Sequence, residues 1–180
     1  MRVIAGRLGG RRLKAPAGRA TRPTADRVRE AVFGMLGELA GARVLDLFAG
    51  TGALGIEALS RGAARAVFVE QDARVAGVLR ENLTALELGA GVAEVRRADV
   101  RRVLRSAREA KETYDLVFID PPYGHARAWG PELTTALPPL LAPGARVVVE
   151  SDRRSPLRLD LDAERERRYG DTAITIHRQQ

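Results

Sequence analysis

Apolar residues along this chain follow two alternating patterns. Short runs rich in Val, Leu and Phe at 44–48, 66–70, 92–96, 116–120 and 146–150 read as buried strands. Between them, near 53–61, 72–88, 99–110 and 127–141, apolar positions recur at helical spacing. Strand and helix in alternation predict an α/β fold, a parallel sheet with helices on both faces. Two more apolar runs, 157–161 and 173–177, follow with no long helix between them. Consecutive strands without a crossover helix pair antiparallel, so a hairpin is expected at the C-terminal end.

Ahead of this alternation, residues Arg2–Ala5 and Arg11–Lys14 read as two short strands joined around Gly6, Gly9 and Gly10. Pro16, Gly18 and Pro23 punctuate a loop. Thr24 then suits the N-cap of a helix reaching about Leu39, with Val28, Ala31, Val32, Met35, Leu36 and Leu39 on one face. A chain of 180 residues with 45% hydrophobic content buries one α/β core. The expected division is a hairpin extension over 1–22 and one domain over 23–180. No apolar run approaches membrane-spanning length and the N-terminus lacks a signal-peptide core, so a cytoplasmic protein without a membrane partner is expected. Cysteine is absent. Disulfides, zinc–thiolate centres and thiol nucleophiles are thereby excluded, and no metal site is expected.

Net charge is +7, and its placement carries more information than its size. Residues 1–43 hold ten Arg and Lys against three acids, whereas residues 44–180 hold twenty of each sign. Within 1–22 the basic residues Arg2, Arg7, Arg11, Arg12, Lys14, Arg19 and Arg22 have no acidic counterpart. Localised charge of this kind fits a nucleic-acid contact surface, with Arg7, Arg11 and Arg12 as candidate RNA-binding residues; a solvated basic tail is the alternative.

In a doubly wound sheet the ligand sits beyond the carboxyl ends of the strands, and three of those ends are acidic. The first strand runs through Asp46 into Gly50-Thr51-Gly52-Ala53-Leu54-Gly55, which matches the dinucleotide-binding spacing, with Glu70 placed to hold a ribose. A nicotinamide dehydrogenase is therefore one reading. A carboxylate at Asp46 would repel pyrophosphate at that turn, however, and would stabilise a sulfonium and an ammonium. The candidate cofactor is S-adenosylmethionine. Gly50 and Gly52 then allow close backbone approach, Glu70 takes the ribose hydroxyls and Asp99 the adenine amino group. The alternative is that each acid only caps the helix that follows it or sits in its first turn.

The fourth run ends in Asp120-Pro121-Pro122-Tyr123. Two prolines stiffen the turn and leave carbonyl acceptors without amide donors, which suits an amino substrate. The exocyclic amine of a base is a weak nucleophile because its lone pair is delocalised. Acceptance of its N–H bonds by the Asp120 carboxylate and the Pro121 carbonyl favours a pyramidal nitrogen aimed at a methyl donor, and Tyr123 can stack on the base. Asp120, Pro121 and Tyr123 are the candidate catalytic residues.

Asp46-Leu47-Phe48-Ala49-Gly50-Thr51-Gly52 and Asp120-Pro121-Pro122-Tyr123 do not stand alone. Arg22-Pro23-Thr24 before Arg27-Val28-Arg29-Glu30, the opening Arg2-Val3-Ile4-Ala5-Gly6, Gly10-Arg11-Arg12-Leu13 and Tyr169-Gly170-Asp171-Thr172 accompany them. Together these blocks resemble the bacterial RsmD family of 16S rRNA (guanine-N2) methyltransferases over almost the whole chain. The resemblance implies a Rossmann-like class I methyltransferase with a seven-stranded, mostly parallel sheet and a small N-terminal hairpin. It implies 16S rRNA in a partly assembled small ribosomal subunit as partner; separately, a monomer is expected. It also implies that Asp46, Gly50, Gly52, Glu70 and Asp99 hold the cofactor, with Arg22 and Thr24 near its amino-acid end. Two other readings stand beside it: an adenine-N6 DNA methyltransferase, for which no added duplex-reading region is evident, and a non-catalytic nucleic-acid-binding module of the same fold.

Overall fold

The computed structural model describes residues 1–16, 23–122 and 126–180, with the side chains of 23–25 and 126 outside that description. Arg22, the Thr24 side chain and Tyr123 therefore lie outside the described residues. The elements run α1 (Pro23–Leu36), β1 (Arg43–Asp46), α2 (Ala53–Ser60), β2 (Arg65–Val69), α3 (Ala73–Ala85), β3 (Ala93–Arg96), α4 (Val100–Glu109) and β4 (Tyr114–Ile119). They continue through α5 (Ala126–Ala136), a 3-10 turn (Pro138–Leu140), β5 (Leu141–Asp152), β6 (Ala163–Tyr169) and β7 (Thr172–Arg178).

These strands form one seven-stranded sheet in the order β3-β2-β1-β4-β5-β7-β6. β1 to β5 are mutually parallel, and β7 inserts antiparallel between β5 and β6. Strand order reverses between β1 and β4, so the crevice beyond their carboxyl ends is the topological switch point. Side chains alternate faces with a period of two, and the core splits accordingly. Val44, Ala66, Phe68, Leu116, Phe118 and Val148 point to the layer of α1, α2 and α3. Leu45, Val67, Val117, Ile119, Val147 and Val149 point to α4 and α5.

Residues 1–16 belong to the first of these layers, because Val3, Leu8 and Leu13 are buried in the same cluster as α1 and α2. The expected hairpin is reduced to one antiparallel bridge, Arg2 to Arg12, flanked by backbone bonds from Val3 N to Arg11 O and Leu13 N to Met1 O. Side chains supply what a longer ladder would. Buried Glu57 on α2 accepts from the Ile4 and Ala5 amides at 2.7 and 3.0 Å, and Ser60 Oγ accepts from Leu8 N at 3.0 Å. Gly6 passes so close that a Cβ there would lie 2.0 Å from the Ser60 carbonyl oxygen. Asn82 on α3 accepts from Lys14 N at 2.8 Å and donates to the Lys14 and Thr51 carbonyls, tying the segment to the glycine turn.

Three expectations change. The helix expected over 127–141 stops at Ala136, because Pro138 and Pro139 lack the amide donors needed to continue it, and β5 already begins at Leu141. The strand expected over 157–161 is absent. β5 has β4 on one side and β7 on the other, so this segment instead lies over α5, burying Leu157 and Leu159 and donating Asp160 N to Thr134 Oγ1 at 3.1 Å. The outer strand is β6, whose sequence Ala-Glu-Arg-Glu-Arg-Arg-Tyr is exposed along nearly its whole length. Charge on an edge strand blocks pairing with further strands, and it also hides the strand from an apolar pattern.

Candidate active site

A cavity of about 650 Å³ opens at the switch point. It is lined by the carboxyl ends of β1, β2, β4 and β5, the start of α4, the α1 residues Val28, Arg29 and Val32, and Met1, Ala15 and Pro16 of the N-terminal segment. Asp46, Gly50, Glu70, Asp99, Asp120 and Pro121, each singled out by sequence, converge on it.

Asp46 ends β1 at 1% exposure, where its carboxylate accepts from Gly55 N at 3.1 Å. Burial raises its pKa to about 7, the Gly55 hydrogen bond opposes the rise, and the Glu70 carboxylate adds to it. The acid thus orders the glycine turn and stores an unfavourable buried charge that a cationic ligand would relieve. Glu70 follows β2 and is held by two backbone amides, Gly50 N at 3.0 Å and Asp72 N at 2.8 Å. Each oxygen accepts one amide and keeps a second lone pair, so the carboxylate is oriented without being used up.

The two glycines of the turn differ. Gly50 has φ 55° and a Cβ there would meet nothing within 4 Å, so the missing side chain leaves cavity space. Gly52 has φ 85°, and a Cβ would lie 2.3 Å from Leu79 Cδ1. Gly52 serves the packing of the turn on α3 and does not line the cavity. Asp99 caps α4 by accepting from Arg101 N at 2.8 Å, yet its exposed carboxylate faces the cavity; capping and ligand contact are compatible here.

Asp120 leaves β4 on the same sheet face as Asp46, and Pro121 is buried beside it. Burial, then the Glu150 and Asp46 carboxylates, hold the Asp120 carboxyl well above the ordinary carboxylate range. Its side chain is exposed to the open cavity, where water weakens all three effects. A ligand that displaced this water would bring them to full strength.

Three features of the cavity lie outside the site residues that the sequence singles out. Glu150, near the end of β5, is the fifth acid of the lining and its pKa is raised by burial. The same rule that marked Asp46, Glu70 and Asp120, an acid ending a buried parallel strand, would have found it. Arg29, 5% exposed, is held by Asp26 at 3.1 Å and by the Arg2 carbonyl, while its buried Nε has no partner among the described residues. Trp129 on α5 meets Phe48 edge-on at 5.1 Å between ring centroids and carries the Arg101 guanidinium at 4.3 Å. Charge counting along the chain also missed that α4, whose first residue Val100 lines the cavity, exposes Arg101, Arg102, Arg105 and Arg108.

Known proteins share this architecture. A family model described as conserved hypothetical protein 95 matches residues 1–178. Small-subunit ribosomal RNA methyltransferase D of Haemophilus influenzae is 35% identical over 158 residues, 87% of this chain and 81% of its own length. The chain belongs to the RsmD family. Bacillus subtilis YlbH, whose name assigns it provisionally to rRNA methyl transfer, is similar to this RsmD-family chain at 41% identity over 99% of it and 98% of YlbH. Among solved structures, Escherichia coli YhhF, provisionally described as a methyltransferase, superposes with a TM-score of 0.84 at 36% identity, covering 100% of this chain and 98% of that one. A Salinibacter ruber RNA methyltransferase with S-adenosyl-L-homocysteine shares the fold at a TM-score of 0.64 and 19% identity, covering 88% of this chain and 93% of that one.

Proposed function

We propose that this RsmD-family chain transfers a methyl group from S-adenosylmethionine to the exocyclic N2 of one guanine in 16S rRNA, presented within the small ribosomal subunit. The observation that carries the reading is Asp120-Pro121 at the carboxyl end of β4, on the floor of a cavity ringed by Asp46, Glu70 and Asp99. That donor set fits the cofactor. The acids favour a ligand with cationic groups, Glu70 keeps free lone pairs for hydroxyls, and Gly50 leaves room for close approach. S-adenosylmethionine supplies, when bound, a methyl group on a sulfonium.

The protein's own groups do the rest. Asp120 and the Pro121 carbonyl accept the two N–H bonds of the target amine, which localises its lone pair and aligns it for in-line attack. With the methyl group supplied by the bound donor, the Asp120 carboxylate would take the surplus proton that the nitrogen sheds on methylation. Burial and the Glu150 and Asp46 carboxylates push Asp120 toward its protonated form, which supports its taking that proton.

RNA is the substrate that the charge pattern supports. Arg7, Arg11 and Arg12 are exposed, and Arg11 donates to the Ala85 carbonyl at 2.7 Å. Residues 1–16 are docked on α2 and α3 rather than loose, and Met1, Ala15 and Pro16 of the same segment help to line the cavity. The arginine face of α4 adds cationic surface on the other side of the sheet.

Incubation of the protein with labelled S-adenosylmethionine and either free rRNA, small subunits lacking the modification, or duplex DNA tests the proposal. Label on guanine N2 of the rRNA-containing particle is expected. Label on adenine, or in DNA alone, would overturn it.

A further inference from the structure

β4 and β5 run parallel with Ile119 paired to Val149, so the next step of the same register sets Asp120 beside Glu150. Neighbouring strands stand about 4.8 Å apart. Both residues follow, by two positions, side chains of the same core layer, Phe118 and Val148, and so both project toward the α1 side of the sheet. On its other flank Glu150 is paired with Ile174, an apolar member of that layer. Among the described residues no hydrogen bond or ion pair engages the Glu150 carboxylate, and it lines the same cavity as Asp120 and Pro121. Two carboxyl groups side by side, one already assigned to the reacting amine, form an acceptor pair in search of two adjacent donors.

We propose that Glu150 is a specificity-determining residue: its carboxylate accepts the ring N1–H of the target base while Asp120 and the Pro121 carbonyl hold the neighbouring exocyclic amine. This inference rests on the guanine-N2 reading and extends it to the means of base choice. The Watson–Crick edge of guanine carries N1–H and the 2-amino group on adjacent atoms, two donors to meet two carboxyl groups, and their insertion relieves the repulsion within the pair. Adenine offers an amino donor beside an N1 lone pair. That lone pair would face the Glu150 carboxylate with no proton between them, which buries an unsatisfied acceptor and costs binding in the transition state. The discrimination is thus built into the strand register, one strand away from Asp120 in space and thirty residues away in sequence.

The test uses 2-aminopurine, which keeps the 2-amino group and lacks only the N1 proton and O6. Once the methylated guanine is mapped, reconstituted small-subunit particles carry guanine or 2-aminopurine at that position. For the wild-type protein, kcat/KM for guanine is expected to exceed that for 2-aminopurine by about 100-fold or more. Glu150→Gln keeps the shape of the side chain and offers an amide that can donate to an N1 lone pair. It should bring the two substrates within about tenfold of each other, with S-adenosylmethionine affinity unchanged. Glu150→Ala, which offers neither donor nor acceptor, should narrow the ratio by reduced turnover of guanine alone. A wild-type protein that uses both bases equally, or a Glu150→Gln variant that cofactor titration shows to be folded and that keeps the wild-type ratio, would overturn the inference. Absence of N2 methylation by the wild type on the unsubstituted particle overturns the guanine reading itself, and this inference with it.

Discussion

The Glu57 carboxylate accepts the Ile4 amide at 2.7 Å, across 53 residues of sequence and at the centre of the contact between α2 and the N-terminal segment. The same carboxylate takes Ala5 N at 3.0 Å and the Arg61 guanidinium at 2.7 Å, and it has no exposure to solvent. Glu57→Ala would leave two amides without their acceptor and Arg61 without its counter-charge. We expect a loss of about 2–4 kcal/mol in urea unfolding. RNA affinity should fall as well, since Arg7 and its neighbours would no longer be held in place. Unchanged stability would show that water replaces the carboxylate.

Asp46 predicts the direction of a pH effect. Its folded pKa of about 7 lies above the ordinary 3.8, so between these values the folded protein retains a proton that the unfolded chain releases. Stability of the cofactor-free protein therefore declines as pH rises from about 4 to about 7, by at most about 4 kcal/mol from this group, and stays low above that. Asp46→Asn removes the charge and keeps an acceptor for Gly55 N. Unfolding across a pH series should show a flatter profile for the variant, retaining the slope due to Asp120 and Glu150, whose pKa values are also raised. At pH 8 the variant should be the more stable of the two without cofactor and should bind S-adenosylmethionine about tenfold or more weakly.

Gly50 and Gly52 separate ligand space from packing. Gly52→Ala forces a left-handed non-glycine residue and a Cβ 2.3 Å from Leu79, so about 2–4 kcal/mol of stability should be lost. Gly50→Ala meets only the backbone penalty, about 1–2 kcal/mol, and places its methyl group toward open space. Thermal unfolding and cofactor titration should therefore rank the two variants oppositely, with Gly52→Ala worse in stability and Gly50→Ala worse in affinity for its remaining stability.

Trp129 is the single tryptophan of the chain and lines the cavity against Phe48. Its fluorescence should change on addition of S-adenosylmethionine or S-adenosylhomocysteine and saturate at one equivalent. Arg101→Ala removes the guanidinium held at 4.3 Å from the ring and should shift the emission of the free protein, while leaving the titration saturable. A signal insensitive to either ligand would place the cofactor away from this wall.

Exchange of Arg7, Arg11 and Arg12 for Glu should weaken RNA binding without altering cofactor affinity. For every phosphate that one of these cations neutralises, its exchange should reduce the slope of log K against log salt by about 0.7–0.9. An unchanged slope would return these residues to a solvated basic face.

The parts of this protein that rest on local periodicity and local chemistry are legible in the chain alone. Runs such as 44–48 and 116–120 are apolar apart from the single acids Asp46 and Asp120 because both faces of a parallel sheet are covered, and the Asp-Pro-Pro and Gly-x-Gly turns bring acids and carbonyls to strand ends whatever the rest of the chain does. Other features depend on what lies beside a residue in space. Leu157–Leu161 has the composition of a strand, yet β5 has no free edge for it, whereas the charged β6 is a strand because β7 offers an edge to pair with. Gly50 and Gly52 look alike in the motif, and only Leu79, brought in by α3, gives them different tasks. Glu150 is legible in the chain only as an acid near a strand end; its pairing with Asp120, thirty residues away, comes from the register that sets the two strands together. Hydrogen bonding along one element is legible residue by residue; pairing between elements is set by which neighbours the folded chain leaves available.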